Sequence, residues 1–322
     1  MKVYRGLDEA PPDFGPSALT IGNFDGVHCG HRRILRRLAE LARARGWKSS
    51  VVTFDPHPLR LVSPERAPRL LTTMQRRAEL MGEEGVDQVL ILPFTGQVAQ
   101  LSAEEFVSQL LVRRLGARAV LMGENFRFGR GHAGNVHSLE GWGLKYGFRT
   151  EIVRAVAWRG RVVSSTGIRQ LVLAGRVSLA ARHLLRPYRL EGEVVSGRGL
   201  GSRQTVPTLN LATRAEAIPA GGVYVTRTFD PAGGRAWNSI TNVGFRPTFG
   251  PSALMTVETY LLDAFDGDTP HGIQVDFLWR LRAEMRFHSP EALKAQILKD
   301  VAAARRYFRR VKAWVGRQPA PA

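Results

Sequence analysis

The sequence predicts an α/β domain built on a parallel sheet, followed by an antiparallel β-barrel with a terminal helix. Three observations lead there. Residues 18–186 alternate short β-like runs with helical stretches, the order that sets strands in parallel with helices as crossovers. The β-like runs in this part are apolar nearly throughout, as in Val89-Leu90-Ile91-Leu92, which suits strands covered on both faces. From Tyr188 to Phe287 the chain instead shows β-like stretches broken by Gly and Pro, with little helical period.

At 322 residues the chain exceeds a usual single domain of roughly 100–200 residues. The change in character at Arg186-Pro187 divides it into expected domains 1–186 and 187–322. In the first, strands are expected over 18–24, 49–54, 88–93, 119–122 and 150–156, with helices over 32–45, 74–84, 103–115 and 136–146. Thr72-Thr73-Met74-Gln75 and Ser102-Ala103-Glu104-Glu105 both have capping-box spacing, in which two side chains satisfy each other's free backbone N–H groups. Ligands of such sheets bind beyond the carboxyl ends of the strands. In the second domain strands are expected over 190–195, 222–228, 257–262 and 273–278. A last helix opens at Ser289-Pro290, an N-cap followed by proline at the first helical position. Its Leu293, Ile297 and Val301 share one face and are expected to pack on the barrel.

The net charge is +18, and forty of the 46 basic residues are arginine. They are spread along the chain except for Arg305, Arg306, Arg309, Arg310, Lys312 and Arg317, which on a helix form a solvated face. Phosphate-rich small-molecule substrates account for this sign, and no nucleic-acid partner is expected, because clustering rather than total charge marks such proteins. One cysteine, Cys29, allows no internal disulfide. No apolar run approaches the roughly 18 residues of a membrane span, and the first residues lack a signal peptide's apolar stretch. The expectation is a cytoplasmic protein without a membrane partner; a transient homo-oligomer is compatible with the sequence.

Four stretches carry chemistry. Gly22-Asn23-Phe24-Asp25-Gly26-Val27-His28-Cys29-Gly30-His31 follows the first expected strand and places two imidazoles around a glycine where a helix begins. Gly30 permits close backbone approach, and a helix N-terminus offers free N–H groups and a positive dipole end, so phosphate oxygens suit the place. Alone, the pair also suits two ligands of a metal site or ordinary turn histidines. Cys29 reads as a small loop residue rather than a nucleophile. Ser164-Ser165-Thr166-Gly167-Ile168-Arg169 precedes an apolar helical run; alone it is a hydroxyl-rich cap, and paired with the first stretch it faces a triphosphate with hydroxyls and a guanidinium. Gly197-Arg198-Gly199-Leu200-Gly201 reads either as a phosphate-wrapping loop or as a plain hairpin. Pro207-Thr208-Leu209-Asn210 sets two oxygen-bearing side chains two residues apart on one face of a strand, and hard oxygens beside a phosphate loop suit Mg²⁺ bound with ATP.

The HxGH helix start with a later SSTxIR resembles the nucleotidyltransferase superfamily. Thr53-Phe54-Asp55-Pro56-His57-Pro58, Gly123-Glu124-Asn125-Phe126-Arg127-Phe128-Gly129 and 164–184 narrow the resemblance to the bacterial bifunctional riboflavin kinase/FMN adenylyltransferase family, and it extends over essentially the whole chain. The resemblance implies a Rossmann-like nucleotidyltransferase domain and a six-stranded riboflavin kinase-like barrel. It implies that His28, His31 and Arg169 act on the ATP phosphates, with Gly22, Phe24, Gly30, Asn125, Ser164 and Thr166 around the nucleotide. Phe54, Pro56, His57 and Pro58 would lie near the flavin. In the second domain, Asn242-Val243-Gly244-Phe245-Arg246-Pro247-Thr248-Phe249 and Val257-Glu258-Thr259-Tyr260 resemble the kinase of the same family. Gly197, Gly199 and Gly201 would then bind phosphate, Thr208 and Asn210 would hold Mg²⁺–ATP, and Glu258 would activate the ribityl hydroxyl. Riboflavin, FMN, FAD and ATP are the implied small molecules.

The kinase half departs from the family's G-R-x-L-G-[FY]-P-T-A-N pattern. Ser202 stands for Arg, Thr205 for Gly, Val206 for an aromatic residue and Leu209 for Ala, while His271-Gly272 replaces a Tyr-Gly. Two other readings stay open at this point: an FMN adenylyltransferase with a slow or silent kinase, and a basic regulatory protein that binds nucleic acid on an old enzyme scaffold.

Overall fold

The computed structural model describes residues 1–195, 208–246, 254–265 and 267–315. The chain begins with β1 (Lys2–Arg5), β2 (Ser17–Ile21), α1 (Cys29–Arg45), β3 (Lys48–Asp55), α2 (Pro58–Val62), α3 (Met74–Glu83) and β4 (Gln88–Pro93). There follow α4 (Gly96–Gln100), α5 (Ala103–Glu105), β5 (Ala117–Gly123), α6 (Val136–Tyr146), β6 (Arg149–Val153) and a small hairpin of β7 (Ala157–Trp158) and β8 (Arg161–Val162). Two helices, α7 (Ser165–Leu173) and α8 (Val177–Leu184), precede β9 (Tyr188–Val195), β10 (Thr208–Thr213), β11 (Gly222–Asp230) and β12 (Arg235–Arg246). The chain then forms β13 (Leu254–Leu261), β14 (Gly272–Ala283) and α9 (Pro290–Val315). By packing it forms two units, Met1–Gly167 and Ile168–Ala322. This division falls before residue 187 because α8 packs on β9 and β14 of the second unit.

The first unit holds a six-stranded sheet in the order β1-β4-β3-β2-β5-β6, with every neighbouring pair parallel. Alternate residues supply two cores: Leu19, Val52, Leu90 and Val120 face one, while Ala18, Val51, Val89 and Leu121 face the other. Both faces are therefore dry, which is why the strands read as apolar runs. From β2 the chain steps outward through β3 and β4 and returns to the far side of β2 as β5, so the strand order reverses beside β2. Such a reversal opens a crevice at the carboxyl ends of the strands.

Several expectations are corrected. β1, an edge strand of four mostly exposed residues, carries too little apolar pattern to be read from sequence. The first expected strand ends at Ile21, and residues 22–28 form a loop. Beyond α5 the helix widens over Phe106–Arg114, where the Leu115 N–H bonds the Leu110 carbonyl five residues back. The buried Phe106, Val107, Leu110, Leu111 and Leu115 recur every four to five residues, a spacing that wider turns gather onto one face. The capping box at Ser102 and Glu105 forms, but the one at Thr72 does not. Thr73 caps α3 instead, because Thr72 Oγ1 accepts the Gly26 N–H and lies against Asp25.

The second unit is a closed antiparallel barrel in the order β10-β13-β12-β11-β14-β9. Closure between β9 and β10 depends on Gly192, where a Cβ would stand 1.9 Å from the Ala212 carbonyl oxygen. Inside lie Leu190, Leu209, Val275 and Phe277 together with a chain of buried hydroxyls, Thr228–Ser239–Thr226–Thr241–Thr259, linked at 2.8–3.0 Å. Since neighbours alternate, Asn210, Asn242 and Glu258 face outward. Ser289 caps α9 through the Ala292 N–H. The helix packs on the outer barrel face through Val301, Ala304, Tyr307 and Phe308, not through Leu293 and Ile297, which are exposed. Its anchored part begins where Arg282 of β14 pairs with Asp300, one residue before Val301, and the turns before it are mostly exposed. Arg305, Arg306, Arg309, Arg310 and Lys312 are all exposed.

Candidate functional site

The crevice beside β2 gathers three of the sequence-derived stretches. Gly22 begins the loop after β2, Phe54–Pro58 closes β3, and Asn125 sits exposed in the turn after β5. The fourth arrives from 140 positions away, because Ser165 Oγ donates to the Asp25 carbonyl at 2.9 Å. Ser164 Oγ accepts the Gly167 N–H at 3.2 Å and so opens α7, leaving Ser164 and Thr166 exposed. Arg169 lies one turn into α7, within the second unit.

His28 is the N-cap of α1. Its Nδ1 accepts the N–H groups of Gly30 and His31 at 3.2 and 3.3 Å, which puts the ring proton on Nε2 and makes that atom a hydrogen-bond donor. Gly30 leaves room for this ring, since a Cβ there would come within 3.1 Å of it and push it aside by a few tenths of an ångström. The rings of His28 and His31 stack at 3.7 Å, and Phe24 covers His31 at 5.0 Å. Burial pushes the His31 imidazole well below its ordinary range, and the neighbouring His28 and Arg77 act in the same direction, so His31 stays uncharged at neutral pH. Its Nδ1 is buried without a hydrogen-bond partner. Burial also raises the Cys29 thiol, away from a nucleophilic thiolate. Among the described residues there is no group of three or more His, Cys, Asp or Glu side chains that could hold a metal.

The loop carrying these groups is strained. Phe24 and Val27 adopt left-handed backbone at φ 49° and 36°, at a cost of about 1–3 kcal/mol each. Both side chains are buried, which helps offset that cost. The Asp25 carboxylate accepts the N–H groups of Leu71 and Thr72 at 2.9 and 3.2 Å and faces Arg77 at 3.4 Å. This anchoring set escaped the sequence reading, although a signal existed. Arg77 stands in the same helical stripe as Met74, Ala78 and Met81, where a charge has no place unless it is paired.

The flavin-side residues divide. Phe54 is buried in the core and meets Phe94 edge-on at 5.5 Å. Pro56, preceded by a cis peptide, is exposed. His57 caps α2 by accepting the Leu59 N–H at 3.2 Å, Pro58 opens that helix, and the other ring nitrogen of His57 lies 3.1 Å from the Asn23 amide.

In the barrel, Asn210 stands directly opposite Glu258, and Glu258 is opposite Asn242 on its other side. The three form one polar row across β10, β13 and β12. Asn242 belonged to a quoted motif but was given no role of its own. Thr208, two residues before Asn210, is exposed on the same face. Gly197, Gly199 and Gly201, with the altered positions Ser202, Thr205 and Val206, lie outside the described residues.

Comparison with known proteins follows these two halves. The family profile described as FAD synthetase matches residues 11–167, and that described as riboflavin kinase matches residues 184–308. A "Bifunctional riboflavin kinase/FMN adenylyltransferase" of Pseudomonas fluorescens is 40% identical over 95% of this chain and 97% of its own length. The protein of the same name from Escherichia coli K12 is 37% identical over 96% of this chain and 98% of its own. A crystal structure named as a macrolide-efflux protein of Streptococcus pneumoniae matches with a TM-score of 0.84 at 25% identity, over 95% of this chain and 99% of that one. The efflux name belongs to that protein; among the described residues here, no helix is long and apolar enough to cross a membrane. Both profiles lie in order along one chain whose two halves have the matching architectures, and the chain belongs to the bifunctional riboflavin kinase/FMN adenylyltransferase family.

Proposed function

We infer that the chain makes flavin nucleotides in two steps. It phosphorylates riboflavin to FMN with ATP, then transfers an adenylyl group from ATP to FMN, giving FAD and pyrophosphate. The observation that carries this reading is the full-length similarity to bifunctional relatives, with each family profile on its own half of the chain. We assign adenylyl transfer to residues 1–186 and phosphorylation to residues 187–322.

In adenylyl transfer a phosphate oxygen of FMN attacks the α-phosphorus of ATP, and the bond to the departing pyrophosphate breaks. No covalent enzyme intermediate is needed, so the protein's work is positioning and charge stabilisation. In this reading the His28 Nε2–H and the positive end of α1 meet phosphate oxygens, and His31, kept neutral, completes the cradle. Asn125, Ser164, Thr166 and Arg169 hold the nucleotide, with Gly22 and Phe24 shaping the loop, while Phe54, Pro56, His57 and Pro58 form the flavin side.

In phosphorylation the terminal ribityl hydroxyl attacks the γ-phosphorus, the bond from that phosphorus to ADP breaks, and the hydroxyl proton passes to Glu258. Thr208 and Asn210 would hold Mg²⁺ with ATP, and their neutral oxygens fit a hard cation whose negative ligands come from the nucleotide. The ion, when bound, neutralises phosphate charge. Gly197, Gly199 and Gly201 would cradle the phosphates. The reading places the protein in the cytoplasm with riboflavin, FMN and ATP as its small-molecule partners, and a transient homo-oligomer stays compatible with it.

The test is incubation of the purified protein with riboflavin, ATP and Mg²⁺, with riboflavin, FMN and FAD followed by chromatography, beside a reaction started from FMN. FAD from both starting points is expected. FAD from FMN alone would mean that the departures at Ser202–Leu209 have silenced the kinase, and FAD from neither would refute the reading.

A further inference from the structure

Arg77 is an almost completely buried guanidinium that bonds the Gly22–His28 loop at Asn23 and Asp25 and acts electrostatically on His31. Its Nη1 donates to the Asn23 carbonyl at 2.9 Å, just before the left-handed Phe24. Its Nη2 faces the Asp25 carboxylate, just after Phe24, and donates to the Thr72 carbonyl at 3.2 Å. Thr72 Oγ1 in turn accepts the Gly26 N–H at 3.1 Å, before the left-handed Val27. The carbonyl of the same Asp25 receives Ser165 Oγ. A backbone in a sparsely populated conformation persists only where its surroundings over-determine it, and here Arg77 holds the loop on both sides of Phe24, beside the Leu71 and Thr72 N–H groups on the Asp25 carboxylate and Thr53 Oγ1 on the Asn23 carbonyl.

We propose that Arg77 is a positioning residue for adenylyl transfer, holding the Gly22–His28 loop and the Ser164–Gly167 turn in register so that both close on one nucleotide. The proposal rests on the assignment of adenylyl transfer to this unit. A misplacement near 1 Å costs on the order of 100-fold in rate, so a positioning role shows in kcat more than in KM.

The experiment uses the full chain with Arg77→Lys, Arg77→Met and the double variant Asp25→Asn/Arg77→Met. Turnover of FMN to FAD is resolved into kcat and KM, with FMN formation from riboflavin and thermal unfolding measured alongside. Arg77→Met should lower kcat for FAD about 100-fold, change KM for FMN and ATP less than about threefold, and leave FMN formation unaltered. Arg77→Lys, which keeps a cation within reach of one carbonyl, should recover at least tenfold of that loss. The double variant, which removes the charge stranded by the single one, should regain thermal stability without regaining kcat. Recovery of both, or near-normal FAD turnover by a folded Arg77→Met, would overturn the proposal. Hydrogen exchange at the Gly30 and His31 amides reads the same loop without turnover. Faster exchange in Arg77→Met supports the proposal, and unchanged protection overturns it. If wild type made no FAD, the assignment of activity would fail while this exchange test still decided the role of Arg77.

Discussion

Replacing His28 separates two contributions that one side chain makes at once. Its Nδ1 satisfies two free N–H groups at the start of α1, and in the proposed reading its Nε2–H meets phosphate. Loss of an N-cap costs about 0.5–2 kcal/mol, and for a unit of this size each kcal/mol moves the midpoint by about 2–4 °C. Loss of one preorganised donor to a developing charge costs about 10²–10³ in rate. His28→Ala removes both, whereas His28→Asn keeps a good cap and removes the imidazole donor. Both variants should therefore lose FAD formation from FMN by about 10²–10³, but only His28→Ala should melt measurably earlier. The riboflavin to FMN step, carried by the other half of the chain, should be untouched in both. Chromatography of the three flavins together with a thermal melt reads all of this in one preparation. Equal loss of both activities would refute the division of labour, and normal FAD formation by His28→Asn would refute the role of Nε2.

Other expectations follow from the same geometry. Glu258→Gln should reduce FMN formation by about 10²–10⁴, the usual worth of a general base, while FAD formation from supplied FMN persists; parallel assays from the two substrates check it. Gly192→Ala should prevent normal barrel closure, because the new Cβ meets the Ala212 carbonyl, and the readout is loss of kinase activity and of soluble expression, with Gly221→Ala as a milder comparison since its Cβ would come closest to the flexible Glu284 side chain at 3.1 Å and lie at an ordinary 3.6 Å from the Val243 carbonyl. His31 predicts a pH dependence of stability. Its folded pKa lies below the ordinary value near 6.5, so in the window between them the unfolded chain binds more protons. Its contribution is thus complete above about pH 6.5 and fades as pH falls through that window, with a slope of at most about 1.4 kcal/mol per pH unit. Urea unfolding of wild type and His31→Gln at several pH values should show their difference change in that window; a constant difference would contradict a neutral, buried His31.

Much of this was legible in sequence because local chemistry and global topology agree. The apolar run at 88–93, set between helical stretches, reads as a strand covered on both sides, and His28 with Gly30 announced a helix start whatever the fold around it. What escaped depended on partners remote in the chain. Arg77 is fixed by Asp25, 52 positions earlier, and the Thr72 hydroxyl serves Gly26 rather than its own helix, so local capping rules misplaced it by one residue. β1 forms because β4 offers it an edge, not because Lys2–Arg5 favours a strand. Leu293 and Ile297 have the period of a packed face yet stay exposed, which no helical wheel discloses.

The left-handed loop has a kinetic corollary. Phe24 and Val27 point into the core, so releasing their backbone would draw two apolar side chains into water. The loop is therefore locked by the same burial that lets it exist. If a nucleotide binds at His28 as proposed, the cradle already stands, and its apparent affinity is not divided by a small competent fraction, as it is where a binding loop must first fold. Little ordering entropy is left to oppose association. In the proposed reading, capture of ATP by this half of the protein resembles docking onto a fixed ledge.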